Sequence, residues 1–298
     1  INCIYKSFYC SNYMMVSIFI LLWYWQYQYL YIVLILLVSM DKTIIYERNP
    51  WWKVREAIKE DDYVKEAFSK KNKALYNFDI KENSLFIGPR RSGKTTFFKL
   101  LIYDLLINKK VKQEDVLFIS CEIFRSHIEI IELLQEVKSK YVFLDEITFV
   151  EGWEKAIKFV LDQGTKDRIL LITGSSTAFL RKETFPGRNI KLKHFLPFDF
   201  FKFANTFGSN ELKEILDKIK QIEDLLPYSF EIFNLFDKYM ESGGFPKPMF
   251  ELMEEGLIKE DNYDAIYSWF RGDMLKLGKS EEIAKSLILR LMETMTTP

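Results

Sequence analysis

Histidine and cysteine are scarce in this chain of 298 residues, and their scarcity excludes several kinds of chemistry. The two histidines, His127 and His194, argue against a histidine-based zinc site and against a Ser–His–Asp triad. The three cysteines, Cys3, Cys10 and Cys121, form no metal-type cluster and indicate a reducing compartment without a disulfide framework. Chemistry is therefore expected from carboxylates, lysines, arginines and a bound metal ion.

The chain also lacks net charge, because 42 Lys and Arg residues balance 42 Asp and Glu residues. This balance gives no argument for binding to nucleic acid or to an anionic membrane. The hydrophobic fraction of 48% is ordinary for a soluble protein, and a chain of this length can bury the core of one large or two modest domains.

Charged residues are missing from residues 7–40, and residues 13–38 are dominated by Ile, Leu, Val, Trp and Tyr. The second segment is long enough to span a bilayer, but its aromatic residues lie in the middle rather than at the ends. The chain begins with Ile1, and Met40 stands immediately before ordinary soluble sequence. Two interpretations stay open. The segment is a membrane anchor with the rest of the protein in the cytoplasm, or it is upstream translated sequence or a wrongly placed start of a cytoplasmic protein.

Gly88–Thr95 reads Gly-Pro-Arg-Arg-Ser-Gly-Lys-Thr and follows an apolar run, Ser84–Ile87. The two glycines allow a tight turn that points backbone N–H groups inward, and the helix that follows begins at the same place. Lys94 supplies a positive charge to the β- and γ-phosphates, and the Thr95 hydroxyl is a magnesium ligand. The pattern predicts a P-loop that binds a nucleotide. The predicted nucleotide-binding residues are Gly88, Pro89, Arg90, Arg91, Ser92, Gly93, Lys94, Thr95 and Thr96, with the two arginines expected to point outward.

Two acids follow the apolar run Tyr141–Leu144, as in the Walker B pattern. Asp145, at the carboxyl end of this predicted strand, is expected to hold magnesium together with Thr95. Glu146 is expected to orient and deprotonate the attacking water. A base beside a metal ligand is what hydrolysis requires, so the pair predicts an NTPase.

Polar residues also end the next predicted strand, in the sequence Leu171–Ser176. Thr173 and Ser175 are candidates to hydrogen-bond the water or the γ-phosphate, with Ser175 slightly favoured; alternatively, this segment is a turn that caps a helix. Arg188 is a candidate to stabilise charge on the γ-phosphate bound to its own chain or to a neighbouring chain. Alternatively, it is a solvated arginine in an ordinary turn. The predicted catalytic residues are Lys94, Glu146, Ser175 and Arg188, and the predicted metal ligands are Thr95 and Asp145.

Short apolar runs alternate with helical patterns along the chain. The predicted strands are 84–87, 116–121, 141–144, 168–173 and 190–196, and the predicted helices between them are 95–107, 127–137 and 152–161. This alternation predicts an α/β fold, a P-loop NTPase parallel sheet with helices on both faces. Ahead of the sheet, Asn49-Pro50 predicts the start of a helix that Asn49 caps and that extends to about Phe68.

The character of the sequence changes after Pro197. Residues 211–226 predict a charged amphipathic helix that ends at Pro227, and residues 241–246 predict a turn between helices. Helical periodicity then continues to Met295. The predicted domains are the hydrophobic leader, residues 1–40, the P-loop domain, residues 41–205, and a smaller all-helical domain, residues 206–298.

These motifs occur in one order along the chain, together with Gly187-Arg188 and the stretch His194–Phe198. In this order they resemble the AAA-like P-loop ATPases of archaea and bacteria that carry a C-terminal domain of unknown function. The turn Gly243–Pro246 and the segment Ala265–Gly278 are similar to the start of that second domain. The resemblance covers residues 41–298, and the family usually continues further, so the all-helical domain is expected to be truncated.

The resemblance implies ATP and Mg²⁺ as cofactors, with ATP hydrolysis driving a conformational switch coupled to the C-terminal domain. The alternatives are a DNA-associated or membrane-tethered binding switch with little hydrolysis, and a P-loop phosphotransferase. No arginine-rich lid lies between Thr173 and Pro197, which argues against the phosphotransferase. Apart from ATP, the expected partners are a second copy of the chain or another protein. Nucleic acid is a possible partner through a missing C-terminal part, and membrane binding stays open.

Overall fold

The computed structural model describes residues 42–70, 76, 81–164, 168–175, 185–219 and 221–296. The chain divides into two compact units, residues 1–47 and 48–298. The predicted hydrophobic leader lies outside the described residues. Helix α1, Lys42–Arg48, contains the described residues of the first unit and ends at the first residue of the second.

Five strands form one parallel sheet in the second unit. They are β1, Ser84–Ile87; β2, Val116–Ser120; β3, Tyr141–Asp145; β4, Ile169–Gly174; and β5, Lys191–His194. Their spatial order is β2-β3-β4-β1-β5, and each neighbouring pair is parallel. The apolar runs of β1 and β3 are buried almost throughout, as strands covered on both faces must be. The predicted α/β sheet is confirmed, with strand ends within about two residues of the predicted ones.

Four α-helices and a short π-helix accompany the sheet. They are α2, Asp62–Ser69; α3, Lys94–Tyr103, continued by the π-helix Asp104–Asn108; α4, His127–Glu136; and α5, Trp153–Asp162. The core beneath α3 is aromatic: the Phe86 and Phe97 ring centroids are 5.1 Å apart, and those of Phe98 and Phe143 are 5.2 Å apart. These contacts fix α3 against β1 and β3. The first residues of α3 are therefore held at the edge of the sheet where these strands end.

Asn49 occupies the N-cap position of a helical turn that begins at Pro50, as predicted, but its side chain makes no capping hydrogen bond, and this part of the prediction was wrong. Its side chain instead pairs with edge strand β2, donating to the Phe118 carbonyl at 2.8 Å and accepting from the Phe118 N–H at 2.6 Å. The indole N–H groups of Trp51 and Trp52 both donate to the Val116 carbonyl. The predicted helix is split into 3-10 turns, Pro50–Trp52 and Arg55–Glu60, followed by α2, because this segment covers the open edge of the sheet.

After β5, the regular secondary structure of the described residues is entirely helical, with six α-helices. They are α6, Phe200–Phe207; α7, Asn210–Leu216; α8, Ser229–Ser242; α9, Pro246–Glu255; α10, Glu260–Lys276; and α11, Glu281–Thr296. Phe198, Phe203, Leu235 and Met249 belong to one buried cluster in this region. Because α6 crosses the boundary predicted at residue 206, the domain division stays a prediction.

Residues 211–226 do not form the single helix that the sequence predicted. Helix α7 ends at Leu216, and a 3-10 helix, Ile222–Tyr228, contains Pro227 instead of ending before it. Gln221 starts this second helix with a capping box that includes Asp224. The apolar spacing does not distinguish one helix from two short ones, because the apolar positions keep a helical spacing across the break.

The predicted turn at residues 241–246 connects α8 to α9. Gly244 has φ +72°, and a Cβ atom there would lie 2.1 Å from the Phe198 carbonyl oxygen. The Phe198 N–H donates to the Gly244 carbonyl at 2.9 Å, so the turn packs directly on the chain leaving β5. Only glycine permits both the left-handed backbone and this close approach. The contact holds the start of α9 beside the sheet.

No helix in the part of the chain that the structure describes combines the length and apolar content needed to cross a membrane.

Candidate functional site

The P-loop lies between β1 and α3, and each of its two glycines is required sterically. A Cβ atom at Gly88 would lie 1.8 Å from the Phe195 carbonyl oxygen. Gly93 has φ +95°, and a Cβ atom there would lie 2.1 Å from the Tyr76 hydroxyl oxygen. Within the loop, the Ser92 hydroxyl donates to the Pro89 carbonyl at 2.8 Å. The loop is thus a tight turn whose shape depends on small residues at both ends.

Lys94 is buried inside this turn. Its ammonium group donates to the Gly88 carbonyl at 3.1 Å and to the Pro89 carbonyl at 2.8 Å, and lies 3.7 Å from a Glu146 carboxylate oxygen. Burial lowers the pKa of Lys94, and the nearby Glu146 carboxylate partly offsets this effect. Phosphate oxygens are stronger acceptors than these carbonyls, so this ammonium group is available to a phosphate bound in the loop.

The two predicted metal ligands, Thr95 and Asp145, are in direct contact. The Thr95 hydroxyl donates to Asp145 Oδ2 at 2.7 Å, and the Thr173 hydroxyl donates to Asp145 Oδ1 at 2.6 Å. Burial raises the pKa of Asp145, and these two hydrogen bonds oppose the rise. A cation beside Asp145 would compensate this buried charge.

Magnesium fits this donor set. A hydroxyl and a carboxylate are hard oxygen ligands, and Mg²⁺ typically takes one or two protein ligands together with phosphate oxygens and water. No group of three or more His, Cys, Asp and Glu residues comes together among the described residues. The arrangement therefore suits a cation that a bound nucleotide brings with it, rather than a cage built by the protein alone.

Glu146 directly follows Asp145 and is held in an unusual backbone conformation. Its φ of +53° lies in the left-handed region, which non-glycine residues seldom adopt. Its backbone N–H donates to the Thr173 hydroxyl at 2.8 Å, and the Ser175 hydroxyl donates to its carboxylate. The carboxylate is therefore fixed at the carboxyl edge of the sheet, close to Lys94.

The two candidates at the end of β4 have different partners. Thr173 connects the Asp145 side chain to the Glu146 backbone, whereas Ser175 contacts the Glu146 carboxylate. The sequence could not separate these tasks, because both residues carry a hydroxyl at one strand end. The structure brings both to the acid pair.

The arginines lie apart from this cluster. Arg188 forms a bidentate pair with Asp162 at the end of α5, with distances of 2.9 and 2.7 Å. The Arg90 guanidinium lies over the Phe149 ring, 4.9 Å from its centroid. Arg91 donates to Asn262 Oδ1 at 3.2 Å and so points toward α10. Of the predicted catalytic residues, Lys94, Glu146 and Ser175 come together, and Arg188 does not join them.

Asn262 extends the contact from Arg91 into the all-helical region. The Asn262 side chain is 1% exposed and donates to the carboxylate of Glu251, which is 4% exposed. The Lys259 N–H also donates to this carboxylate, and the Lys247 ammonium group lies 3.8 Å from it. This network could not be predicted from the sequence, because Asn262 lies in a charged stretch that looks like an exposed helix start.

A cavity of about 420 Å³ opens beside the P-loop. Its walls are α2, the segment Gly93–Thr96, the Glu146 side chain and the start of α9, and they include Tyr63, Tyr76 and Lys247. This volume is in the range of sites that bind small ligands. These three residues could not be predicted as part of the site, because they come from segments without a recognisable nucleotide-binding motif.

The sheet order, the glycine loop between β1 and α3, and the acid pair after β3 define a P-loop protein of the AAA type. The family model described as "AAA domain" matches residues 81–204, and the predicted resemblance is confirmed. This similarity indicates nucleotide binding.

Two curated relatives are themselves uncharacterized proteins. One, from Methanocaldococcus jannaschii, is 30% identical over 214 residues, which is 68% of this chain and 44% of that protein. The other, from Haemophilus influenzae, is 27% identical over 225 residues, covering 70% of this chain and 50% of that protein. The chain thus spans about half the length of the curated relatives that it matches.

Among solved structures, the RuvB Holliday junction branch migration motor of Thermotoga maritima is similar at 16% identity. The match covers 80% of this chain and 68% of that chain, with a TM-score of 0.37. This score is low, and the strand order and the P-loop define the fold of this chain.

Proposed function

We propose that this protein binds Mg-ATP at Gly88–Thr96 and hydrolyses it to ADP and phosphate. The observation that carries the proposal is the single cluster in which Lys94, Thr95, Asp145 and Glu146 meet. Hydrolysis requires a phosphate cradle, a magnesium ligand and a base within reach of one another. The AAA domain match supports adenine as the base of the nucleotide.

Each group of the cluster has a distinct task in this proposal. The amides of the P-loop and the Lys94 ammonium group bind the phosphates and neutralise their charge. Thr95 and Asp145 hold Mg²⁺, which would neutralise charge developing on the phosphate oxygens. Glu146 accepts a proton from the attacking water, whose oxygen bonds to the γ-phosphorus as the bond to the β–γ bridging oxygen breaks. Ser175 orients the Glu146 carboxylate for this step.

Arg188 is the least supported member of the proposed catalytic set. Its pair with Asp162 would have to open before the guanidinium could stabilise the γ-phosphate of its own chain or of a neighbouring copy. This pair is solvent-accessible, and pairs of this kind contribute little to stability. Arg188 is therefore a candidate catalytic residue, and the proposed hydrolysis does not require it.

Nucleotide binding is proposed to act on the all-helical region through the Arg91–Asn262–Glu251 network. Arg91 belongs to the loop that would hold the phosphates, and Glu251 belongs to α9, which lines the same cavity. A shift of the loop on binding would change both hydrogen bonds. This observation favours a conformational switch over an enzyme that transfers the phosphate to a second substrate.

The test is phosphate release and ATP binding by the full chain, for wild type, Lys94→Ala and Glu146→Gln. Lys94→Ala is expected to weaken ATP binding. Glu146→Gln should still bind ATP but release phosphate at least about 100-fold more slowly, because a general base contributes about 10²–10⁴-fold. Glu122→Gln, at an exposed acid after β2, is the matched control and should behave like wild type.

Unchanged turnover in Glu146→Gln would remove this residue from the mechanism. Phosphate released without any added acceptor would argue against a phosphotransferase. Repeating the assay with DNA separates a DNA-stimulated ATPase from one that is independent of nucleic acid. Absence of ATP binding by the wild-type protein would contradict the whole proposal.

A further inference from the structure

Tyr76 carries a hydroxyl group that has no hydrogen-bond partner among the residues that the structure describes. The hydroxyl oxygen is shielded from solvent, yet no side chain or backbone group of those residues bonds to it. An enclosed hydroxyl without a partner lowers stability, because it has given up its hydrogen bonds to water. Buried hydroxyl groups without a partner are rare in native proteins, and a bound ligand would supply the missing partner.

The position of the hydroxyl indicates which ligand. It packs against Gly93, so closely that a Cβ atom on that residue would lie 2.1 Å from the hydroxyl oxygen. Tyr76 also lines the cavity beside the P-loop, together with Lys94 and Thr95. A nucleotide whose phosphates occupy the loop would therefore lie beside the Tyr76 side chain, and a small shift at Gly93 would bring one of its oxygen atoms into contact with this hydroxyl.

The aromatic ring of Tyr76 is held on several sides. Its centroid is 6.2 Å from those of Phe97 and Phe195, and it meets Phe198 edge-on at 5.5 Å. These contacts leave the ring little freedom to turn the hydroxyl toward water. Burial raises the pKa of Tyr76, so the group stays protonated and can act as a donor. A fixed donor at the wall of a binding cavity favours a ligand that presents an acceptor there.

We propose that Tyr76 is a nucleotide-binding residue whose hydroxyl donates a hydrogen bond to an oxygen of the ribose or the adjacent phosphate. The inference rests on the proposed nucleotide site and adds a residue that lies outside the P-loop and the acid pair. It gives the tyrosine a role in affinity rather than in the chemical step.

The all-helical region offers a matched control for this proposal. Tyr267, on α10, also has a buried hydroxyl without a partner, and it is not among the residues that line the cavity. Tyr76→Phe and Tyr267→Phe each remove the same single oxygen atom from a buried site. Neither change is expected to lower the melting temperature of the protein without nucleotide, because each removes an unsatisfied group.

The two variants should differ once nucleotide is present. Tyr76→Phe is expected to raise the dissociation constants of ATP and ADP by about tenfold, the effect of losing one hydrogen bond. Tyr267→Phe is expected to leave both constants unchanged. Binding of inorganic tripolyphosphate distinguishes the two acceptors. Tripolyphosphate affinity falls in Tyr76→Phe if the hydroxyl contacts a phosphate oxygen, and is unaffected if it contacts the ribose.

Two outcomes overturn the inference while leaving the proposed function in place. One is an unchanged ATP affinity in Tyr76→Phe, when Lys94→Ala in the same assay does lose affinity. The other is an equal loss in Tyr76→Phe and Tyr267→Phe, which would indicate a general effect on packing. If the wild-type protein binds neither ATP nor ADP, the proposed function and this inference fail together.

Discussion

Arg91 of the P-loop donates a hydrogen bond to Asn262 across 171 positions of sequence, with a nitrogen-to-oxygen distance of 3.2 Å. The bond joins the loop that would hold phosphate to helix α10. Arg91 itself has φ +62°, so its backbone already lies in a region that few non-glycine residues adopt. Asn262 also donates to the buried Glu251 carboxylate, so hydrogen bonds connect the P-loop arginine to an acid on α9.

Asn262→Ala should disconnect nucleotide binding from the all-helical region. ATP affinity is expected to stay near the wild-type value, because the P-loop keeps its own contacts, while ATP no longer alters amide hydrogen exchange in α9 and α10. Stability should fall by about 1–3 kcal/mol, since Glu251 loses a donor in a buried site. Asn234→Ala, at an exposed position on α8, serves as the control. The same ATP-dependent exchange in both variants would contradict this coupling.

The parts of the site that the sequence predicted are those that depend on local spacing. Gly88 and Gly93 are separated by a fixed number of residues, and Asp145 and Glu146 follow an apolar run directly. Such patterns fix which residues share one strand end or one turn, whatever the rest of the chain does. For the same reason, the parallel sheet could be predicted from apolar runs alternating with helical stretches.

The contacts that the sequence did not predict all join distant segments. Asn262 follows Glu260 and Asp261, so it reads as part of an exposed helix start, yet its side chain is 1% exposed. Asn49 reads as a helix cap, but the open edge of β2 offers both a donor and an acceptor for its amide group. In each case a tertiary contact overrides the local preference, and a single sequence holds no record of that contact.

Ser175→Ala should slow hydrolysis without weakening nucleotide binding. The Ser175 hydroxyl donates to the Glu146 carboxylate. Without this hydrogen bond, the carboxylate is no longer held where it would accept a proton from water. We expect phosphate release to fall by about tenfold or more, as misplaced catalytic groups typically lose at least that much. Single-turnover assays at saturating ATP check the prediction. A changed ATP dissociation constant with an unchanged rate would place Ser175 in binding instead.

Thr173→Val should act mainly on stability and on the response to magnesium. The substitution keeps the side-chain shape but removes a hydroxyl that donates to Asp145 and accepts from the Glu146 N–H. Because the Asp145 carboxylate and the Glu146 N–H then each lack a hydrogen bond in a buried site, we expect the free energy of unfolding to fall by about 1–3 kcal/mol for each unsatisfied group. Urea unfolding measures this loss of stability. Titrating ATP binding with Mg²⁺ measures the change in the response to magnesium. A variant as stable as wild type would show that water replaces the hydroxyl.

Lys99, on α3, is a buried cation whose pKa predicts a pH dependence of stability. Its ammonium group lies 3.0 Å from an Asp61 carboxylate oxygen and 3.8 Å from the centroid of the Phe118 ring. Burial lowers the pKa of Lys99, and the Asp61 carboxylate only partly offsets this effect. The folded protein therefore releases this proton at a lower pH than the unfolded chain, in which a lysine has a pKa of about 10.4.

Between these two pKa values the unfolded chain binds more protons, so the contribution of Lys99 makes the free energy of unfolding rise with pH. Below the lowered pKa both states are protonated and this contribution is constant. Lys99→Met should remove the rise, so the wild type should gain stability relative to the variant as pH increases toward 10.4. Urea unfolding at a series of pH values measures the difference, with Lys59→Met at an exposed lysine as the control. A constant difference across the series would mean that Lys99 keeps the pKa of an ordinary lysine.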